Sequence, residues 1–136
     1  MDRIYLDNAA TTPTDPQVLE AMKPYYFERF GNASSIHYFG QEARKAMEGA
    51  RLTTASFLGA KPEEIIFTSG GTESNNTALF GVLWANENKG KHIVTTALEH
   101  HAILEPLHFL EKRGYEVTYV KPDEYGMVSP HDVAAA

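Results

Sequence analysis

The segment Ser69-Gly70-Gly71-Thr72-Glu73-Ser74-Asn75-Asn76 sets adjacent glycines and a run of hydrogen-bonding side chains directly behind the strand-like stretch Glu64-Ile65-Ile66-Phe67-Thr68. Glycine lets the backbone turn tightly and present its N–H groups. A helix starting there adds the positive end of its dipole, and the Thr72 hydroxyl supplies one more donor. The chemistry predicted is anion binding, with Gly71 and Thr72 at the centre of a phosphate cradle. An ordinary strand-to-helix connection also uses glycine. It would follow with good helix formers, whereas Thr72, Glu73, Ser74, Asn75 and Asn76 fill the first turns with side chains that compete for backbone hydrogen bonds.

Glu99-His100-His101 follows the β-branched run His92–Thr96. That places imidazoles, which titrate near neutrality, at the C-terminal edge of a strand, where open α/β sheets bind ligands. A histidine there can also simply cap a helix or lie in solvent. Metal binding is disfavoured, because adjacent histidines diverge on a helix and only His101 with Glu105 has i,i+4 spacing; no metal site is expected. Leu6-Asp7-Asn8-Ala9-Ala10-Thr11-Thr12 and Asn32-Ala33-Ser34-Ser35-Ile36-His37 are polar stretches with several donors, but Asx and hydroxyl residues cluster in plain turns as well.

Several elements must position these residues. Asp15 before Pro16 starts a helix carrying Val18, Leu19, Met22 and Tyr26, with a kink expected at Pro24. From about Gln41, Ala43, Ala46, Met47, Ala50 and Phe57 recur at helical spacing, and Gly59 is placed to cap the end. Ala78, Leu79, Val82 and Leu83 predict a helix stopping at Gly90, and Ile103, Leu104, Leu107 and Leu110 predict one closed by Gly114. With strands at Glu64–Thr68, His92–Thr96 and Tyr115–Val120, the order is strand, helix, strand, helix, strand. The fold class is therefore α/β, a mainly parallel sheet flanked by helices and preceded by a helical N-terminal segment.

Composition narrows the function classes. The chain has 136 residues, 43% hydrophobic and 22% charged, which is globular rather than disordered. A net charge of −6 argues against nucleic-acid or anionic-membrane binding. No apolar run is long enough to span a bilayer and the N-terminus lacks a signal-peptide core, so a cytoplasmic location is expected. Cys is absent, which removes disulfides, thiolate metal sites and any thiol nucleophile.

Tyr5-Leu6-Asp7-Asn8-Ala9-Ala10-Thr11-Thr12-Pro13, Gly31-Asn32-Ala33-Ser34-Ser35 with His37 and Gly40, Phe67 to Asn76, and Glu99-His100 together resemble, in order, the cysteine desulfurases of the NifS/IscS type. These are class-V aminotransferase-like, fold-type I pyridoxal-phosphate enzymes. The resemblance implies pyridoxal 5′-phosphate as cofactor and removal of sulfur from L-cysteine. The products would be L-alanine and an enzyme persulfide for iron–sulfur cluster assembly or another sulfur acceptor. It implies phosphate binding by Gly71 and Thr72, and stacking on the cofactor ring and proton transfer by His100. Asn8, Ala9 and His37 would form substrate surroundings. Residues 1–60 would form a helical segment of the small domain and active-site entrance, and residues 61–136 the first part of the cofactor-binding large domain. A homodimer and an iron–sulfur scaffold partner are implied for the complete protein.

The departures from the family are the Schiff-base lysine, which follows a Ser-x-His motif that no lysine here has, and the persulfide cysteine. A helix-start signal at Ser129, Pro130 and Asp132 is followed by too few residues to repay nucleation, which reads as the front portion of a longer protein. The expectation is a piece inactive by itself, needing its C-terminal half or a second copy to cover apolar surface. The alternatives are another lyase of the same fold, acting on selenocysteine or cysteine, and a non-catalytic dimerising module.

Overall fold

The computed structural model describes residues 3–136, which divide into two compact units, one ending at Ile66 and the other running from Phe67 to Ala136.

The first unit is helical. Helix α1 (Pro16–Phe27) starts where Asp15 accepts a hydrogen bond from the Gln17 N–H at 2.7 Å, with Pro16 as its first residue, and continues through Pro24 to Phe27. Helix α2 (Tyr38–Leu58) begins before Gln41, behind His37, and ends on Gly59 at φ 66°, the left-handed cap that glycine adopts without strain. A 3-10 turn at Pro62–Glu64 follows, with the Glu64 carboxylate accepting from the Lys61 N–H at 2.7 Å. An Arg51 guanidinium on α2 donates to the Ile65 carbonyl.

No strand forms over Glu64–Thr68. Glu64 closes the 3-10 turn, and Ile65 is extended at φ −94°, ψ 122°, but residues 65–68 join no ladder among the described residues. Apolar, β-prone residues favour an extended backbone; a strand also needs a neighbour to hydrogen-bond.

Before α2, the Asn32 side chain accepts from the Ser34 N–H at 2.9 Å, and its carbonyl accepts from the Ser35 N–H at 2.9 Å. This loop lies so close to α2 that a Cβ on the buried Gly40 would sit 2.3 Å from the Ser35 carbonyl oxygen and 2.7 Å from that of Asn32. Gly40→Ala is therefore expected to destabilise the chain by about 1–3 kcal/mol. Gly49→Ala on the same helix, where a Cβ meets nothing within 4 Å, should stabilise it by about 0.5–1 kcal/mol. Urea unfolding of both variants checks the sign of each change.

The second unit is a parallel βαβ arrangement. Helix α3 (Gly71–Ala85) leads to strand β1 (His92–Thr96), helix α4 (His101–Glu111) and strand β2 (Glu116–Val120); the short α5 (Pro130–Ala135) follows. β1 and β2 pair in parallel, with His92 opposite Glu116 and Thr96 opposite Val120, and the Ala97 N–H extends the ladder to the Val120 carbonyl at 3.1 Å. The α/β class with N-terminal helices and a small parallel sheet flanked by helices thus matches the sequence expectation. Ala102, Leu107 and Leu110 of α4 and Val120 of β2 are buried, so the crossover helix supplies most of this unit's core.

Helix α3 stops at Ala85, capped by Asn86, short of the Gly90 expected from sequence. The Asn86 side chain turns back to the Val82 carbonyl at 2.7 Å, a local bond that competes with further helix. Helix α5 forms despite its length, with the Ser129 hydroxyl accepting from the His131 N–H at 3.2 Å. Among the described residues, no helix is long and apolar enough to cross a membrane.

Candidate functional site

The first intrahelical bond of α3 runs from the Ser74 N–H to the Gly70 carbonyl at 3.1 Å. The N–H groups of Gly71, Thr72 and Glu73 therefore precede the helical ladder at the positive end of the dipole. Gly70 has φ 165°, ψ 178°, an extended backbone any residue adopts, and a Cβ on Gly70 or Gly71 would meet nothing within 4 Å. The described protein itself does not demand these glycines. Their lack of side chains keeps the space beside the helix start open, which is what close approach of a ligand to the backbone requires.

The side chains around this turn brace one another. Thr68 Oγ1 and Ser74 Oγ lie 2.6 Å apart, and the Ser74 hydroxyl donates to the Gly70 carbonyl at 3.2 Å. Asn76 Nδ2 donates to the Thr72 carbonyl at 2.8 Å. Among the described residues the Thr72 hydroxyl has no hydrogen-bond partner and remains available as a donor.

Glu73 is the one acidic group in the first turn, and its Oε2 accepts from both the Ser69 hydroxyl at 2.6 Å and the Ser69 N–H at 2.7 Å. These bonds, the hydroxyl's first, hold its carboxyl below the usual carboxylate range. A depressed folded value means that the contribution to stability is present above the unfolded carboxyl value and is lost as pH falls through the lower folded value. Glu73 is fully exposed, so that contribution is small. An NMR titration of the Glu73 carboxyl should show a midpoint below that of an ordinary glutamate, and Ser69→Ala should move it upward. An unshifted midpoint would remove this role for Ser69.

At the end of β1, the Thr96 hydroxyl donates to the Glu99 carboxylate at 3.0 Å. His100 is the N-cap of α4, its backbone at φ −64°, ψ 151° and its Nδ1 accepting from the Ala102 N–H at 3.0 Å. The His100 and His101 rings meet edge-on with centroids 6.2 Å apart.

The resemblance singles out His100 and gives His101 no role. The structure places it with Glu105 and Phe109 of α4 across an open groove from Thr72, Asn76 and Phe80 of α3. The Phe80 and Phe109 rings stand T-shaped across that groove at 6.1 Å. The i,i+4 spacing of His101 and Glu105 was the available signal that these two share a helix face. Among the described residues, no group of three or more His, Cys, Asp or Glu side chains is arranged to hold a metal.

In the first unit, Asn8 and Ala9 lie exposed in a turn, with the Ala10 N–H donating to the Asp7 carbonyl at 3.1 Å. His37 precedes α2 without a side-chain capping bond, its ring edge-on to Phe39 at 6.3 Å.

Residues 4–136 match the family described as Aminotransferase class-V. The chain belongs to the class-V aminotransferase family. Within it, the homology is to NifS/IscS-type cysteine desulfurases, which are fold-type I pyridoxal-phosphate enzymes. Cysteine desulfurase IscS of Dictyoglomus turgidum is 59% identical over 133 residues, covering 98% of this chain and 34% of that protein. A solved NifS-like protein superposes with a TM-score of 0.91 at 44% identity, covering 96% of this chain and 36% of the other. A structure titled SspA in complex with cysteine gives 0.89 at 40% identity, with coverage of 97% and 38%. The chain spans about a third of the length of the curated relatives it matches. Membership of this family implies pyridoxal-phosphate binding.

Proposed function

We propose that this chain is the N-terminal part of a pyridoxal-phosphate-dependent cysteine desulfurase. Such an enzyme takes sulfur from L-cysteine, giving L-alanine and an enzyme persulfide for iron–sulfur cluster assembly. The observation that carries this reading is the open, donor-rich start of α3 in a chain so close in sequence to known desulfurases. A solved relative described as in complex with cysteine supports the same substrate class.

The donor set fits the cofactor's phosphate. The Gly71, Thr72 and Glu73 amides and the Thr72 hydroxyl would hold it, while the Glu73 carboxylate of the same turn is bonded to Ser69. When bound, the cofactor supplies an electron sink for the substrate carbanion. His100 would lie against the ring and orient or protonate the reacting group, with Asn8, Ala9 and His37 among the substrate surroundings. Residues 1–60 would serve the active-site entrance and residues 61–136 the cofactor-binding domain, in a cytoplasmic homodimer that passes sulfur to an iron–sulfur scaffold or another acceptor.

With no Cys in the chain, the persulfide thiol must come from elsewhere. The chain alone, supplied with pyridoxal phosphate and L-cysteine, is expected to form neither alanine nor sulfide above the protein-free control. Turnover by the isolated chain would overturn the division of labour proposed here.

A further inference from the structure

The cap of α4 commits a proposed site residue to a backbone group. A backbone N–H can only donate, so the nitrogen that receives the Ala102 N–H, His100 Nδ1 at 3.0 Å, carries a lone pair and no proton. In the neutral imidazole the single proton is then on Nε2. We infer that the Ala102 amide is a positioning group for His100: it fixes the ring's orientation and its Nε2–H tautomer, so that His100 presents a hydrogen-bond donor, not a base, to the ligand. This deepens the functional reading above and rests on it for the role of His100.

In the capped state Nε2 already holds its proton and cannot take up another. A proton added at Nδ1 makes imidazolium and sets one N–H against another at the start of α4, breaking the bond to Ala102. Shifting the proton from Nε2 to Nδ1 has the same result. Full transfer of the Nε2 proton to a ligand needs imidazolium as the starting state, and that is the uncapped ring. Any proton exchange at His100 is therefore coupled to release of the α4 cap, while donation of a hydrogen bond from Nε2 is not.

Nitrogen NMR of the chain labelled in histidine tests this, at a pH where the imidazole is neutral, with the same chain in concentrated urea as the averaged-tautomer reference. The expected result is one tautomer for His100, with Nδ1 unprotonated and Nε2 protonated, distinct from the urea average. His100→Asn removes that signal, which assigns it, and its Oδ1 replaces the cap, so hydrogen exchange at the Ala102 amide stays slow. His100→Ala should speed that exchange roughly tenfold. An averaged tautomer or a protonated Nδ1 under native conditions overturns the inference, as does Ala102 exchange indifferent to His100→Ala. No readout uses the cofactor, so failure here leaves the functional proposal standing, and failure of cofactor binding leaves the tautomer result standing.

Discussion

His100→Asn in the complete enzyme is expected to lower kcat by roughly 10²- to 10⁴-fold, the usual worth of a positioned proton-transferring or hydrogen-bonding side chain. Cofactor content should be unchanged. Asparagine is a good N-cap and can take over the bond from the Ala102 N–H, so α4 and the turn before it keep their places. What asparagine lacks is the imidazole ring and its Nε2–H. Steady-state kinetics beside cofactor absorbance separates the two roles. A variant that folds poorly would make His100 a structural cap, and one that folds but loses cofactor would limit it to holding the ring. A variant as active as the parent would remove His100 from the chemistry.

Thr72→Ala should weaken cofactor binding by roughly 10- to 100-fold, because a hydrogen bond to a charged group contributes about 1.5–3 kcal/mol. Thr72→Ser, which keeps the hydroxyl, should stay within a few-fold of the parent. The Thr72 hydroxyl makes no bond to the described protein, so its removal costs little local stability and the change reads on the ligand. Cofactor release followed by dialysis and absorbance measures it. Equal retention by the alanine and serine variants would place the phosphate elsewhere.

The parts of this structure that the sequence disclosed are those fixed by local chemistry. Asp15 before Pro16 marks a helix start and Gly59 a helix end because a cap and a left-handed backbone are properties of single residues. The β-branched run His92–Thr96 became β1 with the expected ends because β2 lies beside it. Ile65 to Thr68, equally apolar, did not become a strand, since pairing depends on a partner that composition does not reveal.

Within the site, His100 was singled out by the family resemblance, and the helix start at Gly71 and Thr72 was legible from residue type and order. The Glu73 bonds to Ser69 and the placing of His101 in the groove with Thr72 were not. The first depends on how α3 leaves its turn, and the second on how α3 and α4 pack directly against each other. Gly31 and Gly40 belonged to a recognisable motif, but their physical reason is close approach, with a Cβ on either falling 2.3 Å from a backbone oxygen. That is a property of packing.

Isolation from the native source under non-denaturing conditions, followed by intact mass and visible absorbance, decides whether the chain works as part of a desulfurase. This sequence is expected to occur with the remainder of a desulfurase, either contiguous or as a co-purifying chain. The assembly should carry a pyridoxal-phosphate band and a mass well above 15.1 kDa. A lone 15.1 kDa species with no cofactor band, and none after reconstitution, would contradict it.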